Sequence, residues 1–134
     1  MESGVKELVE FRFKKAKETL KTAETLLQSG EYDFSLNRSY YAVFHAIRAV
    51  NAIDGFDSSK HSGVISFFNQ NHVKNGDFPK EISKIIKVAS EFREQADYED
   101  FFAAGKEDAE ESLKNAAFFV KSIGEYLSVY LNAD

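Results

Sequence analysis

Residues 5–28 read VKELVEFRFKKAKETLKTAETLLQ, and within them Val9, Phe13, Ala16, Leu20, Ala23 and Leu27 recur at alternating spacings of four and three. That spacing is one face of an α-helix and the seam of bundle packing. Gly30 ends this first helix. The single proline, Pro79, and the glycines Gly55, Gly76 and Gly105 punctuate the rest of the chain, and the stretches between them are again periodic. Few breaks and long periodic stretches predict an all-α domain. A second helix follows Glu31-Tyr32-Asp33 and runs to residue 53, ahead of an Asp54-Gly55 turn. Ser58 or Ser59 is expected to N-cap a short third helix that carries Ile65 and Phe68 and stops before Asn75-Gly76-Asp77. Pro79 opens the fourth helix, where its missing N–H costs nothing. Residues 99–105 read as a loop whose Phe101 and Phe102 need cover. The fifth helix, residues 106–131, carries Leu113, Ala117, Val120, Gly124, Leu127 and Leu131 on one stripe and Phe119, Ile123, Tyr126 and Tyr130 on a second. Short connections favour antiparallel neighbours, so the expected architecture is an up-and-down bundle of four long helices plus one short helix. It fills a single domain over residues 1–134.

The composition narrows the function classes. A chain of 134 residues buries about two-thirds of its unfolded surface and needs no disulfide or metal to hold it. Thirteen Phe and six Tyr without Trp demand a core or an interface. The net charge of −5 argues against whole-surface attraction to nucleic acid or anionic membrane, while leaving room for a local basic site. Without cysteine there is no disulfide, thiolate metal site or cysteine nucleophile. No apolar run approaches the ~18 residues of a membrane span, and MESGVKELVEFRFKKAK lacks the order of a signal peptide. A cytoplasmic location with no membrane partner is the expectation.

Arg93 interrupts an apolar stripe of Ile82, Ile86, Ala89 and Ala96 on the fourth helix. Arginine cannot shed its charge, so burial asks for a carboxylate, carbonyl or phosphate, of which Asp97 one turn on supplies only part. The plainer alternative is a cation near a helix C-terminus, paired with Asp97 for about a few tenths of a kcal/mol. Helix two has a core stripe of Leu36, Tyr40, Val43, Ile47 and Val50, and its other side presents Phe34, Arg38, Tyr41, His45, Ala49 and Ala52. A helix without an ordinary solvated face meets a second subunit or shapes a cleft. Arg38 and His45 share that side, about 10.5 Å apart along the axis; His45 is otherwise a hydrogen-bonded interface histidine. His61 falls in the first turn of helix three within SSKHSG, where a helix N-terminus attracts anions such as phosphate, or simply makes a solvated turn. His72 reads as a favourable C-terminal cation. No His-Glu-x-x-His occurs and no Glu precedes a histidine by three residues, so neither a metal site nor a cofactor is expected. Phosphate-loop, dinucleotide and hydrolase motifs are absent as well. Lys80, Lys84 and Lys87, with Glu91, read as a solvated bundle surface.

Three strings, SLNRSYYAVFHA at residues 35–46, KHSG at 60–63 and FREQADY at 92–98, resemble the HEPN domain family, and within it the small stand-alone branch grouped as uncharacterised proteins. The resemblance covers nearly the whole chain. It implies a helical bundle that dimerises around a polar cleft. It further implies a metal-independent ribonuclease, a toxin paired with a minimal nucleotidyltransferase antitoxin, or an inactive binding module. The ribonucleases of the family carry an arginine followed four to six residues later by a histidine, whereas here Arg93 is followed five residues later by Tyr98. RNA cleavage needs a base, an acid and a cation for the phosphorane, and a tyrosine of pKa near 10 is a poor base. Arg38 and His45, counted with six residues between them, fit the spacing, though on a different helix. The expectation is therefore a homodimer that binds a nucleotide, RNA or a nucleotidyltransferase partner through a cleft lined by Arg38, Tyr41, His45, His61, Arg93, Asp97 and Tyr98. Arg93 would grip phosphate, and Tyr41 or Tyr98 would stack on a base or bond a ribose. One alternative is a metal-independent ribonuclease with Arg93 stabilising the phosphorane and His45 or His61 as acid or base. Another is a structural dimer in which Arg93 and Asp97 form an internal ion pair. The paired toxins of the family also suggest Tyr98 as an adenylylation site.

Overall fold

Five α-helices follow one another along the described residues: α1 Ser3–Gln28, α2 Tyr32–Ile53, α3 His61–Phe68, α4 Lys80–Tyr98 and α5 Lys106–Leu131. They come from a computed structural model that describes residues 2–98 and 103–132; the Asp97 side chain and residues 99–102, with Phe101 and Phe102, lie outside the described residues. The fold is all-α, as the periodicity predicts.

The stops are written in glycine. Gly30 has φ +79°, and its N–H donates to Leu27 O at 3.0 Å while Glu31 N–H donates to Leu26 O at 2.9 Å. Only a residue at ease with positive φ can reverse the chain this way and still satisfy the last carbonyls of α1. Gly55 closes α2 in a similar way, its N–H donating to Ala52 O while Phe56 N–H donates to Asn51 O.

Small residues set how close α1 and α2 approach. Val9, Ala16 and Ala23 of α1 are fully buried, and on α2 so are Ala42, Ala46 and Ala49. Ser35 begins the α1-facing stripe of α2, its hydroxyl donating to Ala23 O at 2.7 Å in α1. Helix α2 is central: it packs on every other helix, and 13 of its 22 residues are buried. Ala49 and Ala52, expected on a face left for a partner, are covered within this chain, whereas Phe34 stays 63% exposed. On α5 the buried arc runs through Ala109, Ala116, Phe119, Val120, Ile123 and Leu127, so Ala116 and not Ala117 faces in. Gly124 lies against the Phe13 ring, which would sit 2.9 Å from an added Cβ. The glycine makes room for an aromatic from α1.

Helix α3 departs from the sequence reading at both ends. Lys60 occupies the N-cap without a side-chain cap, and Ser58 Oγ instead accepts the Lys60 N–H at 3.2 Å in the approach turn. Beyond Phe68 the chain widens into a π-helical turn, Asn69–Val73. That turn carries His72 inward. Its Nε2 lies 2.8 Å from Asp54 Oδ2 and its Nδ1 3.2 Å from Asp77 Oδ2, so it is a buried strut between the end of α2 and the loop before α4, not a surface cation. Tyr126 of α5 donates to Asp77 at 3.4 Å. Burial first, then the bond to Tyr130, push the Tyr126 phenol above its ordinary pKa and keep it neutral.

Candidate functional site

Tyr40 and Phe44 sit one turn apart on α2 and face α3, which is held in place by Asn51 donating to Val64 O at 3.0 Å. Because α3 begins at His61, that histidine is laid against both rings. Phe44 stacks on His61 with centroids 4.1 Å apart, and the Tyr40 hydroxyl meets His61 Nδ1 at 2.9 Å. From the other side α4 brings Arg93, whose guanidinium lies over the Tyr40 ring, 5.3 Å from its centroid. Burial fades along α4, from Ile82 and Ile86 in the core to a half-buried Arg93 and an exposed Ala96. Arg93 therefore stands at a rim and not within the core.

The rim belongs to an open cleft of about 690 Å³ lined by Tyr40, Lys60, His61, Ser62, Ser90 and Arg93, among others. Ser90 Oγ is buried there without a hydrogen-bond partner among the described residues. A groove of similar size, about 720 Å³, runs between α1 and α5 beside Phe11, Phe13 and Leu127. It holds lysines and glutamates but none of the histidines or arginines, so the chemistry concentrates in the first cleft.

The sequence-predicted residues divide into three groups. His61 and Arg93 share the cleft. Arg38, Tyr41 and His45 form a second cluster on the adjoining face of α2: the Arg38 guanidinium lies 4.8 Å from the Tyr41 ring centroid and donates to Asn37 Oδ1 at 2.7 and 3.0 Å. Tyr41 joins the groups through an edge contact with His61, centroids 5.7 Å apart. His45 lies beside Tyr41 and makes no hydrogen bond among the described residues. Burial first, then the charges of Lys15, Arg48, Arg38 and His61, lower its pKa to about 4, so it is neutral near pH 7. Tyr98 is 84% exposed at the end of α4 and does not line the cleft. The Asp97 side chain, expected as a partner of Arg93, lies outside the described residues.

Two features escape the sequence reading. The apolar stripe assigns Tyr40 to the core, and it is only 3% exposed, but its hydroxyl serves the cleft. Arg12 of α1 and Arg48 of α2 converge on Asp57, at 3.2 and 2.9 Å. The Arg48 hydrogen bond leads the causes that hold the Asp57 carboxyl below its ordinary range.

A family model described as HEPN domain matches residues 9–126. The chain belongs to the HEPN domain family. This HEPN chain is 32% identical over 127 residues to "Putative toxin MJ0142" of Methanocaldococcus jannaschii, covering 95% of its own length and 86% of the relative's. It is likewise 32% identical over 116 residues to a UPF0332 protein of Thermotoga maritima, covering 87% of itself and 88% of that relative. The crystal structure of TT1696 from Thermus thermophilus shares the HEPN chain's fold with a TM-score of 0.72 at 20% identity, covering 88% of this chain and 97% of that one. No helix among the described residues is long and apolar enough to cross a membrane.

Proposed function

We propose that this HEPN chain is a homodimeric binding module that seats a phosphate-bearing nucleotide or RNA in the cleft between α2, α3 and α4, as one half of a toxin–antitoxin pair with a small nucleotidyltransferase. The observation that carries the phosphate reading is the meeting of Arg93 and His61, from different helices, on one Tyr40 side chain at the rim of one cleft. A guanidinium offers a planar fork of donors to a phosphate, and an imidazole and Lys60 add further donors. The toxin reading takes its support from the similarity to "Putative toxin MJ0142" of Methanocaldococcus jannaschii.

The test is titration of ATP, free of metal, and of a labelled oligouridylate into the wild type and Arg93→Ala, with oligomeric state followed by light scattering. Loss of an ionic hydrogen-bond donor predicts about tenfold or greater weakening of binding. Equal binding by a folded Arg93→Ala protein overturns the reading.

One observation favours the ribonuclease as a second reading: His61 shares the cleft with Arg93, so an imidazole and a cation stand together although Tyr98 occupies the expected histidine position. His45, with a pKa of about 4, is not an imidazolium near neutral pH and so is a poor general acid there. Cleavage in excess EDTA that is lost in both His61→Ala and Arg93→Ala, and kept in His45→Ala, is the signature of this reading.

A further inference from the structure

On a chain of net charge −5 the basic residues are not spread evenly. Residues 12–17 of α1 read RFKKAK, and from Phe34 to Ile53 α2 holds Arg38, His45 and Arg48 but no acid. The packing of the two helices decides which of these share a face. Arg12 of α1 donates to Arg48 O and Ser35 of α2 donates to Ala23 O, so the helices run antiparallel with residue 12 beside 48 and 23 beside 35. That register sets Lys15 level with His45. Lys14 and Lys17 turn the other way, into the groove against α5. Along the outer edge of the α1–α2 seam there stand in order Arg48, Lys15 with His45, Tyr41 and Arg38, and the stretch from Arg38 to Arg48 covers about 15 Å of helix.

The charge on this edge is largely uncompensated. Asp57 is shared between Arg12 and Arg48. Arg38 directs its donors to the uncharged Asn37 amide, and neither it nor Lys15 meets a carboxylate among the described residues. Burial comes first among the causes that lower the His45 pKa, but the charges that follow, Lys15, Arg48, Arg38 and His61, are all bases, so the edge carries a positive potential. Aromatic rings are interleaved with these cations. The Arg38 guanidinium lies 4.8 Å from the Tyr41 centroid, and Tyr41 in turn lies 6.2 Å from the His45 ring and edge-on to His61 at 5.7 Å. Because His61 lines the cleft, the edge continues into it through Tyr41. A positive strip with rings between its charges fits a single strand, whose phosphates take the cations while its bases stack on the rings. An acidic peptide would use the cations and leave the rings idle, and a mononucleotide is too short to occupy the strip and the cleft together.

We propose that the outer edge of the α1–α2 seam, with Arg38, Tyr41, His45, Lys15 and Arg48, is a track for a single nucleic-acid strand whose end lies in the cleft. That the strand ends there rests on the cleft being a phosphate site. The cleft then holds the terminal part of an RNA, and the track holds the nucleotides that follow.

The test compares labelled diuridylate with labelled dodecauridylate on the wild type and on the double variant Lys15→Gln/Arg38→Gln, with mass followed by light scattering. The double variant is expected to weaken dodecauridylate about tenfold or more and diuridylate less than about twofold. The slope of log affinity against log salt for dodecauridylate is expected to fall by about 1.4, or about 0.7 for each phosphate contact removed. Lys15→Gln alone, at an exposed position, is expected to give about half of that change in slope. Unchanged dodecauridylate binding overturns the track, and so does an equal loss for both lengths, which would confine these cations to the cleft. Polyglutamate of matched charge binding the wild type as tightly as dodecauridylate would assign the edge to an acidic protein instead. A change of mass in the double variant would assign it to a contact between subunits. If Arg93→Ala leaves diuridylate binding unchanged while Lys15→Gln/Arg38→Gln still weakens dodecauridylate, the track is upheld and the phosphate reading of the cleft is what fails.

Discussion

Along the flank of α2 that meets α1, the stripe opened by Ser35 continues at seven-residue steps through Ala42 and Ala49, and it contains nothing larger than an alanine at those steps. Along the flank that meets α3, the stripe is Tyr40, Phe44, Ile47 and Asn51, with a hydroxyl and an amide both bonded across to the neighbouring helix. Small side chains let two backbones lie close and leave no room for chemistry. Large polar and aromatic ones hold helices apart, and the separation is what the cleft occupies. One helix thus serves both as the closest-packed element of the bundle and as the wall of its candidate site.

The comparison can be broken most forcefully on the alanine flank. Ala42→Leu drives three extra carbons into a fully buried position and is expected to destabilise by about 2–3 kcal/mol in urea unfolding, while ligand affinity of the folded protein is unchanged. A well-tolerated leucine there would mean that the α1–α2 seam is loose. His72→Ala strips the hydrogen-bond partner from Asp54 and Asp77; because those carboxylates are partly exposed, the expected loss is about 1–2 kcal/mol, read by the same unfolding curves. Arg93→Ala sharpens the contrast from the other flank: about tenfold weaker oligouridylate binding with a stability change under about 1 kcal/mol. A stability loss of about 3–5 kcal/mol would identify Arg93 as half of a buried ion pair instead.

The remaining test is a slope. With the His45 pKa at about 4 in the folded chain against 6.5 in the unfolded one, the unfolded chain binds a proton between those values that the folded chain does not. Stability from this group is fully present above pH 6.5 and falls as pH drops toward 4. His45→Gln is expected to flatten that part of the pH–stability curve. A proton NMR titration of His45 is expected to find its midpoint near pH 4 and to shift upward only in part at high salt, which screens Lys15, Arg38 and Arg48 but leaves burial in place.

Periodicity and punctuation were legible to nearly the residue in α1 and α2, because a strict four-and-three stripe and a positive-φ glycine each admit one local structure. On α5 two wide stripes overlap, and a choice between Ala116 and Ala117 turns on about 100° of helix rotation that composition cannot specify. Of the candidates read from the sequence, the fold brings His61 and Arg93 to one cleft, and that grouping was not legible. Arg93 stood out as a cation interrupting an apolar stripe, and His61 as an imidazole in the first turn of α3. Tyr40 did not, since a stripe assigns it a face while the hydroxyl's partner lies 21 residues away on another helix. His72 misled for the same reason, its partners Asp54 and Asp77 being joined only by the tertiary fold.

The π-helical turn at Asn69–Val73 also carries a record of register. Such a turn holds one residue more than the α-helical path it replaces, so deleting a single residue from it returns the backbone to a regular helix. Each residue between the deletion and the end of the helix at Val73 then swings by about 100° about the axis. His72 would leave the line between Asp54 and Asp77. What the extra residue secures is the bridge from the end of α2 to the loop before α4, and a one-residue change in length there is a more drastic mutation than most substitutions in the cleft itself.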